Sequence, residues 1–207
     1  MINNTIGLMK LVIFDLGGVL VNVDPRRAVE RVARETGRSP EAVERVFHDP
    51  ALLEPFELGR LEPRAYFDRV RERLGVAWDF EEFVMEWNGM LSEHTRRSRL
   101  LAGLRDRYRL LILTNTNALH GECLRRWPVF RAAHYWIASH EVGLRKPDPQ
   151  IYRAALQRAE VDAPSAVYVD DLDANVASAR RLGIASIHCT DGMQLEDALR
   201  AAGVDVS

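Results

Sequence analysis

Apolar residues fall along this chain in two rhythms. Leu11-Val12-Ile13-Phe14 is an unbroken apolar run between Lys10 and Asp15. Such a run reads as a strand buried on both faces. From Asp24 to about residue 91 the spacing is helical throughout. Asp24-Pro25 reads as a helix start, with a side-chain acceptor at the cap and proline at the first helical position. Ala28, Val29, Val32 and Ala33 then share a face. Ser39-Pro40-Glu41 opens a second helix carrying Val43, Val46 and Phe47, and residues 51–58 form a short third element. Pro63 opens a fourth, with Tyr66, Phe67, Val70 and Leu74 in register and Gly75 as its stop. Asp79 caps a fifth, carrying Phe83, Val84, Trp87 and Leu91, and no strand pattern interrupts this block.

After a helix over 95–108 the strand rhythm returns at 110–113, 135–139, 166–169 and 184–187. Helices separate these runs: one after Asn117, one over 150–160 and one over 172–182. Strands alternating with helices predict an α/β fold, a Rossmann-like parallel sheet with helices on both faces. The helical block 24–91 is then an insertion after the first strand, a cap domain on a core made of 1–23 and 92–207. Residues 1–9 read as a loose leader.

Composition narrows the function classes. A length of 207 residues suffices for one sizeable core and a satellite. Lys+Arg total 28 against 30 Asp+Glu, a formal net charge of -2, so there is no electrostatic case for nucleic acid or an anionic membrane. Cys123 and Cys189 make neither a metal-spaced pair nor a disulfide framework. Met1–Thr5 lacks a basic region leading into an apolar stretch, and no apolar run approaches the roughly 20 residues that span a bilayer. A cytoplasmic protein is expected, and oligomeric state has no sequence signal.

The chemistry gathers at strand ends. In a parallel sheet with right-handed crossovers, every C-terminal tip lies on one edge, where ligands bind. Those tips carry Asp15, Thr114 with Asn115, Lys146 in the loop after the third core strand, and Asp170 with Asp171. Gly17 and Gly18 let a ligand approach the backbone after Asp15. Paired carboxylates suit a hard divalent cation, and Mg²⁺ is commonly bound by one or two carboxylates plus phosphate oxygens. A lysine and a hydroxyl suit the remaining phosphate oxygens. Asp15 is placed to attack phosphorus in line and form an aspartyl phosphate that water hydrolyses.

Phe14-Asp15-Leu16-Gly17-Gly18-Val19-Leu20, Leu113-Thr114-Asn115, Lys146-Pro147-Asp148 and Val169-Asp170-Asp171-Leu172-Asp173-Ala174-Asn175 occur in that order. Together they resemble the four motifs of the haloacid dehalogenase-like (HAD) hydrolase superfamily, in its branch with a small helical cap. Thr114–Asn117, Gly143–Pro147 and Asp170-Asp171 are similar to the sugar-phosphate phosphatases acting on α-D-glucose 1-phosphate. The resemblance implies Asp15 as nucleophile, Thr114 and Asn115 gripping the phosphoryl group, and Lys146 supporting it. It further implies Mg²⁺ on Asp15, Asp171 and the Gly17 backbone carbonyl, with Asp170 supporting or replacing a ligand. Most phosphatases of the superfamily carry an Asp as general acid and base where this chain has Gly17, though the glucose-1-phosphate type also has Gly there. General acid help is typically worth about 10²–10⁴-fold. Asp24 is the candidate substitute, against its plainer role as a helix cap.

Other candidates weigh less. The six histidines share no metal-ligand spacing, and Trp78, Phe83 and Trp87 read as cap core. The loop Phe56–Arg60 joins two cap helices, so Glu57 and Arg60 are candidate contacts to substrate hydroxyls or a second charge. Asn175 reads as a residue that orients Asp171 or its loop. The expected function is a Mg²⁺-dependent phosphatase of small phosphorylated metabolites, sugar phosphates such as glucose 1-phosphate among them. Two alternatives stand beside it. Hydrolytic 2-haloacid dehalogenation uses an Asp nucleophile without metal, and the acidic pair argues against it. A catalytically weak ligand-binding or regulatory protein is supported only by Gly17.

Overall fold

The computed structural model describes residues 9–207, so Met1–Thr5 and nearly all of the leader lie outside the described residues. The strands are β1 (Leu11–Phe14), β2 (Val21–Val23), β3 (Leu91–Glu93), β4 (Arg109–Thr114), β5 (Tyr135–Ala138), β6 (Ala166–Asp170) and β7 (Ala185–His188). The inserted helices are α1 (Arg26–Thr36), α2 (Pro40–Phe47), α3 (Pro50–Glu57), α4 (Pro63–Leu74) and α5 (Phe80–Asn88). The others are α6 (Thr95–Leu104), α7 (Ala118–Leu124), α8 (Pro128–Ala132), α9 (Ser139–Val142), α10 (Pro149–Ala159), α11 (Asp173–Arg181) and α12 (Leu195–Ala201).

Five strands form one parallel sheet in the order β5-β4-β1-β6-β7. Alternation along each strand sorts its apolar residues between two faces. Val12, Phe14, Leu110, Ile112, Val167 and Val169 pack with Leu101, Leu104, Leu195 and Leu199 of α6 and α12. Leu11, Ile13, Leu111, Leu113, Ala166 and Tyr168 pack with Ile151, Tyr152 and Ala155 of α10 and Ala179 of α11. Each such side chain taken fully from water contributes about 1.5–3 kcal/mol. This is the double-faced sheet expected from the continuous apolar runs.

The inserted helices have an apolar centre of their own, which includes Val32, Phe56, Tyr66, Phe67, Phe83 and Trp87. Ser39, Asp49 and Asp79 each accept a backbone N–H at the start of α2, α3 and α5. Leu119 of α7 packs into the same cluster, so the insert rests on the helix that follows β4. Its 58–60 turn rests on α9. Gly59 has φ +67, and a Cβ there would lie 2.2 Å from the His140 carbonyl oxygen.

Several expectations are corrected. Leu91 is not on the fifth helix: α5 ends at Asn88, and β3 pairs antiparallel with β2 as the chain leaves and re-enters the core. Strands of three residues are too short to show alternation, and their partners lie far apart in sequence. The helix expected after Asn117 is two, α7 and α8. Ser139 opens α9 rather than ending a strand, and α12 was not anticipated.

Candidate active site

Four strand or loop ends converge at the carboxyl edge of the sheet. Asp15 follows β1, and its N–H donates to the Val169 carbonyl at 2.8 Å, which ties it to β6. Its Oδ1 accepts from the Leu16 N–H at 2.6 Å. The Lys146 ammonium lies 2.7 Å from Asp15 Oδ1 and 2.7 Å from Asp170 Oδ2, so it bridges the two carboxylates. All three groups are buried. Taking three charges out of water is costly, and mutual neutralisation must offset it.

Asp170 is the most heavily bonded group. Its oxygens accept from the Leu172 N–H at 2.8 Å, from Asn175 Nδ2 at 3.0 and 3.1 Å, from Lys146 Nζ at 2.7 Å and from the Tyr168 hydroxyl. Burial alone would raise its pKa, but Lys146 and the hydrogen bonds outweigh burial and hold it below the usual carboxylate range. Burial pushes Asp15 up to about 7, against the pull of Lys146. Burial likewise works against the Lys146 charge, yet Asp15 and Asp170 more than compensate and its pKa is raised.

Asp171 is different. It is partly exposed, its carboxylate accepts from no other residue among the described ones, and burial followed by Asp170 raises its pKa. Oxygens of Asp15, Asp170 and Asp171 lie within 4.8 Å of one another. The loop after β1 is shaped to admit this group. Gly18 has φ +71, and a Cβ there would fall 2.1 Å from Asp171 Oδ2. The hydrogen bonds of this turn run from Gly18 N to Val21 O and from Val21 N to Leu16 O, leaving the Gly17 carbonyl free of them. The Asp15, Asp170 and Asp171 cluster is a hard oxygen donor set with excess negative charge, which fits a divalent cation such as Mg²⁺. Asp170, already accepting from four groups, is poorly placed as a ligand.

Thr114 is buried at the tip of β4. Asn115 has another task for its side chain: Nδ2 donates to the Lys146 carbonyl at 2.9 Å, and Oδ1 accepts from the Lys146 N–H at 2.8 Å. Its amide therefore positions Lys146, and its backbone N–H is what faces no partner among the described residues. Asn175 orients Asp170, not Asp171. Tyr168, one turn of alternation before Asp170, holds the same carboxylate and was missed. Its position inside an apolar strand gave no sign of a polar contact, because only the sheet's register brings its hydroxyl to that oxygen.

Asp24 sits outside this network. It accepts from the Arg26 N–H at 3.1 Å and pairs with the Arg26 guanidinium at 2.6 Å, and these hydrogen bonds hold its pKa at about 2. It therefore stays ionised, the wrong state for protonating a leaving group, and acts at the helix start, where Pro25 occupies the formal cap position. Arg60 is exposed and its side chain reaches no partner among the described residues.

Between insert and core lies a cavity of about 350 Å³. Its core end is Asn115, Thr116, Asn117 and His120, and Glu57, Phe47 and Trp87 come from the insert. Trp87 thus lines the cavity as well as packing the cap. Glu57 Oε2 lies 2.9 Å from Arg145 Nη2 without hydrogen-bond geometry, and burial raises its pKa against the pull of Arg145. His120 Nε2 lies 3.0 Å from the Trp87 carbonyl, which places the proton on Nε2, and its ring stacks on Trp87 at 5.3 Å.

Residues 9–183 match the haloacid dehalogenase-like hydrolase family. The chain belongs to that family. It is 23% identical over 193 residues to the D-ribitol-5-phosphate phosphatase of Bacteroides thetaiotaomicron, covering 89% of this chain and 94% of the relative. It is 26% identical over 190 residues to a sesquiterpene phosphatase of Aspergillus oryzae, covering 89% and 91%. A HAD family enzyme of Bacteroides thetaiotaomicron, solved in complex with magnesium and inorganic phosphate, superposes with a TM-score of 0.82 at 26% identity, covering 93% of this chain and 100% of that one.

Proposed function

We propose that this haloacid dehalogenase-like hydrolase is a Mg²⁺-dependent phosphatase of small phosphorylated metabolites, with 1–23 and 92–207 as catalytic core and 24–91 as substrate-facing cap. The observation that carries the reading is Lys146, buried between Asp15 and Asp170 beside an unbonded Asp171. Asp15 attacks phosphorus while the bond to the ester oxygen breaks. The leaving oxygen takes a proton from water, since Gly17 offers no side-chain acid at its position. A second water then cleaves the phosphoaspartate, which releases phosphate and restores the carboxylate. Lys146 offsets the repulsion between the anionic nucleophile and the anionic ester, and the Thr114 hydroxyl and Asn115 N–H take phosphoryl oxygens. Mg²⁺ held by Asp15, Asp171 and the Gly17 carbonyl would neutralise charge on the transferring group. The phosphatases among the relatives, and the related structure holding magnesium and phosphate, support this reading. Metal-free dehalogenation leaves the unbonded Asp171 without a role.

The test is phosphate release from acetyl phosphate with Mg²⁺ or EDTA, for wild type and Asp15→Asn. Turnover is expected only with Mg²⁺ and only in wild type. Turnover of 2-haloacids that ignores EDTA would overturn it.

A further inference from the structure

The cavity beneath the cap is lined on one side by Val23, Pro25, Phe47, Leu53, Trp87 and Met90. Most polar side chains of its lining are bound to the protein itself. The Asn115 amide bonds both ways to the Lys146 backbone. Asn117 Oδ1 accepts from the His120 N–H at 3.1 Å, and His120 Nε2 donates to the Trp87 carbonyl. His48 is exposed. Glu57 is ion-paired with Arg145 at 2.9 Å, and the Thr116 hydroxyl makes no hydrogen bond to the protein among the described residues.

Resting on the phosphatase reading, we infer that the leaving group carries an apolar face: it is an aromatic or branched hydrocarbon alcohol with few further polar groups, not a polyol. Polyol hydroxyls turned toward Val23, Pro25, Phe47, Leu53, Trp87 and Met90 would lose water without gaining partners, and each unmatched hydroxyl is penalised. An apolar skeleton gains from leaving water against the same wall. The volume, about 350 Å³, lies in the range of small-ligand sites. This departs from the sugar-phosphate expectation drawn from the motifs, which lie in the core and not in the cap.

The test compares citronellyl phosphate with ribitol 5-phosphate, both esters of unactivated primary alcohols, in the presence of Mg²⁺, with acetyl phosphate as the reference. We expect kcat/KM for the citronellyl ester to exceed that for the ribitol ester by about 10- to 100-fold, since apolar pockets discriminate on that scale. Leu53→Gln should narrow this ratio, and Val23→Thr, a half-exposed and nearly isosteric change, should narrow it less. Hydrolysis of acetyl phosphate with the ribitol ester equal or preferred would overturn the inference while leaving the phosphatase reading standing. A preference that neither substitution alters would overturn the assignment to this cavity. No hydrolysis of acetyl phosphate would remove the phosphatase reading itself.

Discussion

At the carboxyl edge of the sheet, Asp170 alone accepts from Leu172, Asn175, Lys146 and Tyr168, and Lys146 is held again through its backbone by Asn115. Beneath the cap, an aromatic and aliphatic wall adjoins polar side chains, of which Asn115, Asn117 and His120 are bound to the protein itself. The first region is a fixed charge constellation, preorganised so that little needs to rearrange as charge develops on a substrate. The second is a shaped space whose selectivity comes from what it fails to solvate. Chemistry and selection therefore reside in different parts of the chain, and substitutions in each should produce different signatures.

The sharpest separation is expected from Lys146→Met. It leaves Asp15 and Asp170 buried without a counter-ion. Phosphate release should fall by about 10³-fold or more, and urea unfolding should show a loss of about 3–5 kcal/mol. A variant within tenfold of wild type would mean the edge is not organised around this lysine. Gly18→Ala should come next. A Cβ 2.1 Å from Asp171 Oδ2 displaces that carboxylate while the sheet stays intact. A loss of about 10²-fold in kcat, with weakened Mg²⁺ binding by calorimetry and only a modest fall in unfolding midpoint from the left-handed backbone at this position, is the expected pattern.

Tyr168→Phe removes one of the donors to Asp170. Hydrogen bonds to charged groups contribute roughly 1.5–3 kcal/mol, so stability should drop on that scale, with a smaller loss of kcat than in Gly18→Ala. The smallest effect belongs to the join between the two regions. Burial lowers the His120 imidazole from its ordinary 6.5 to about 4, so the folded protein takes up its proton less readily than the unfolded chain. Stability from this group is complete above pH 6.5 and is lost as pH falls toward 4, by on the order of 2–3 kcal/mol. Urea denaturation at neutral and acidic pH should show that slope, and His120→Gln should flatten it.

Asp15, Thr114, Lys146, Asp170 and Asp171 were all legible as strand or loop ends in an alternating β–α pattern, because sheet topology sends such ends to one edge whatever the details. Asn175 was legible as a supporting residue but not its target, since a residue about one helical turn along the chain from both acids can reach either. Tyr168 was invisible because an aromatic residue in a buried strand has an ordinary packing role. Asp24 was legible as a helix start, and the structure adds Arg26 as the partner that keeps it ionised. No helix among the described residues is long and apolar enough to cross a membrane.

By itself the sequence determined the parallel sheet, the helical insertion and the acids and lysine at the strand ends. These follow from periodicity and chain topology, which are properties of neighbouring residues. Only the tertiary structure decided that Lys146 bridges Asp15 and Asp170, that Asp171 is the carboxylate left unbonded, that β2 pairs with β3, and that Trp87 and Glu57 line a cavity while Arg60 does not. Each of these depends on where side chains distant in sequence end up relative to one another. That is set by packing of the insert on α7 and α9 and by strand register, and local pattern carries neither.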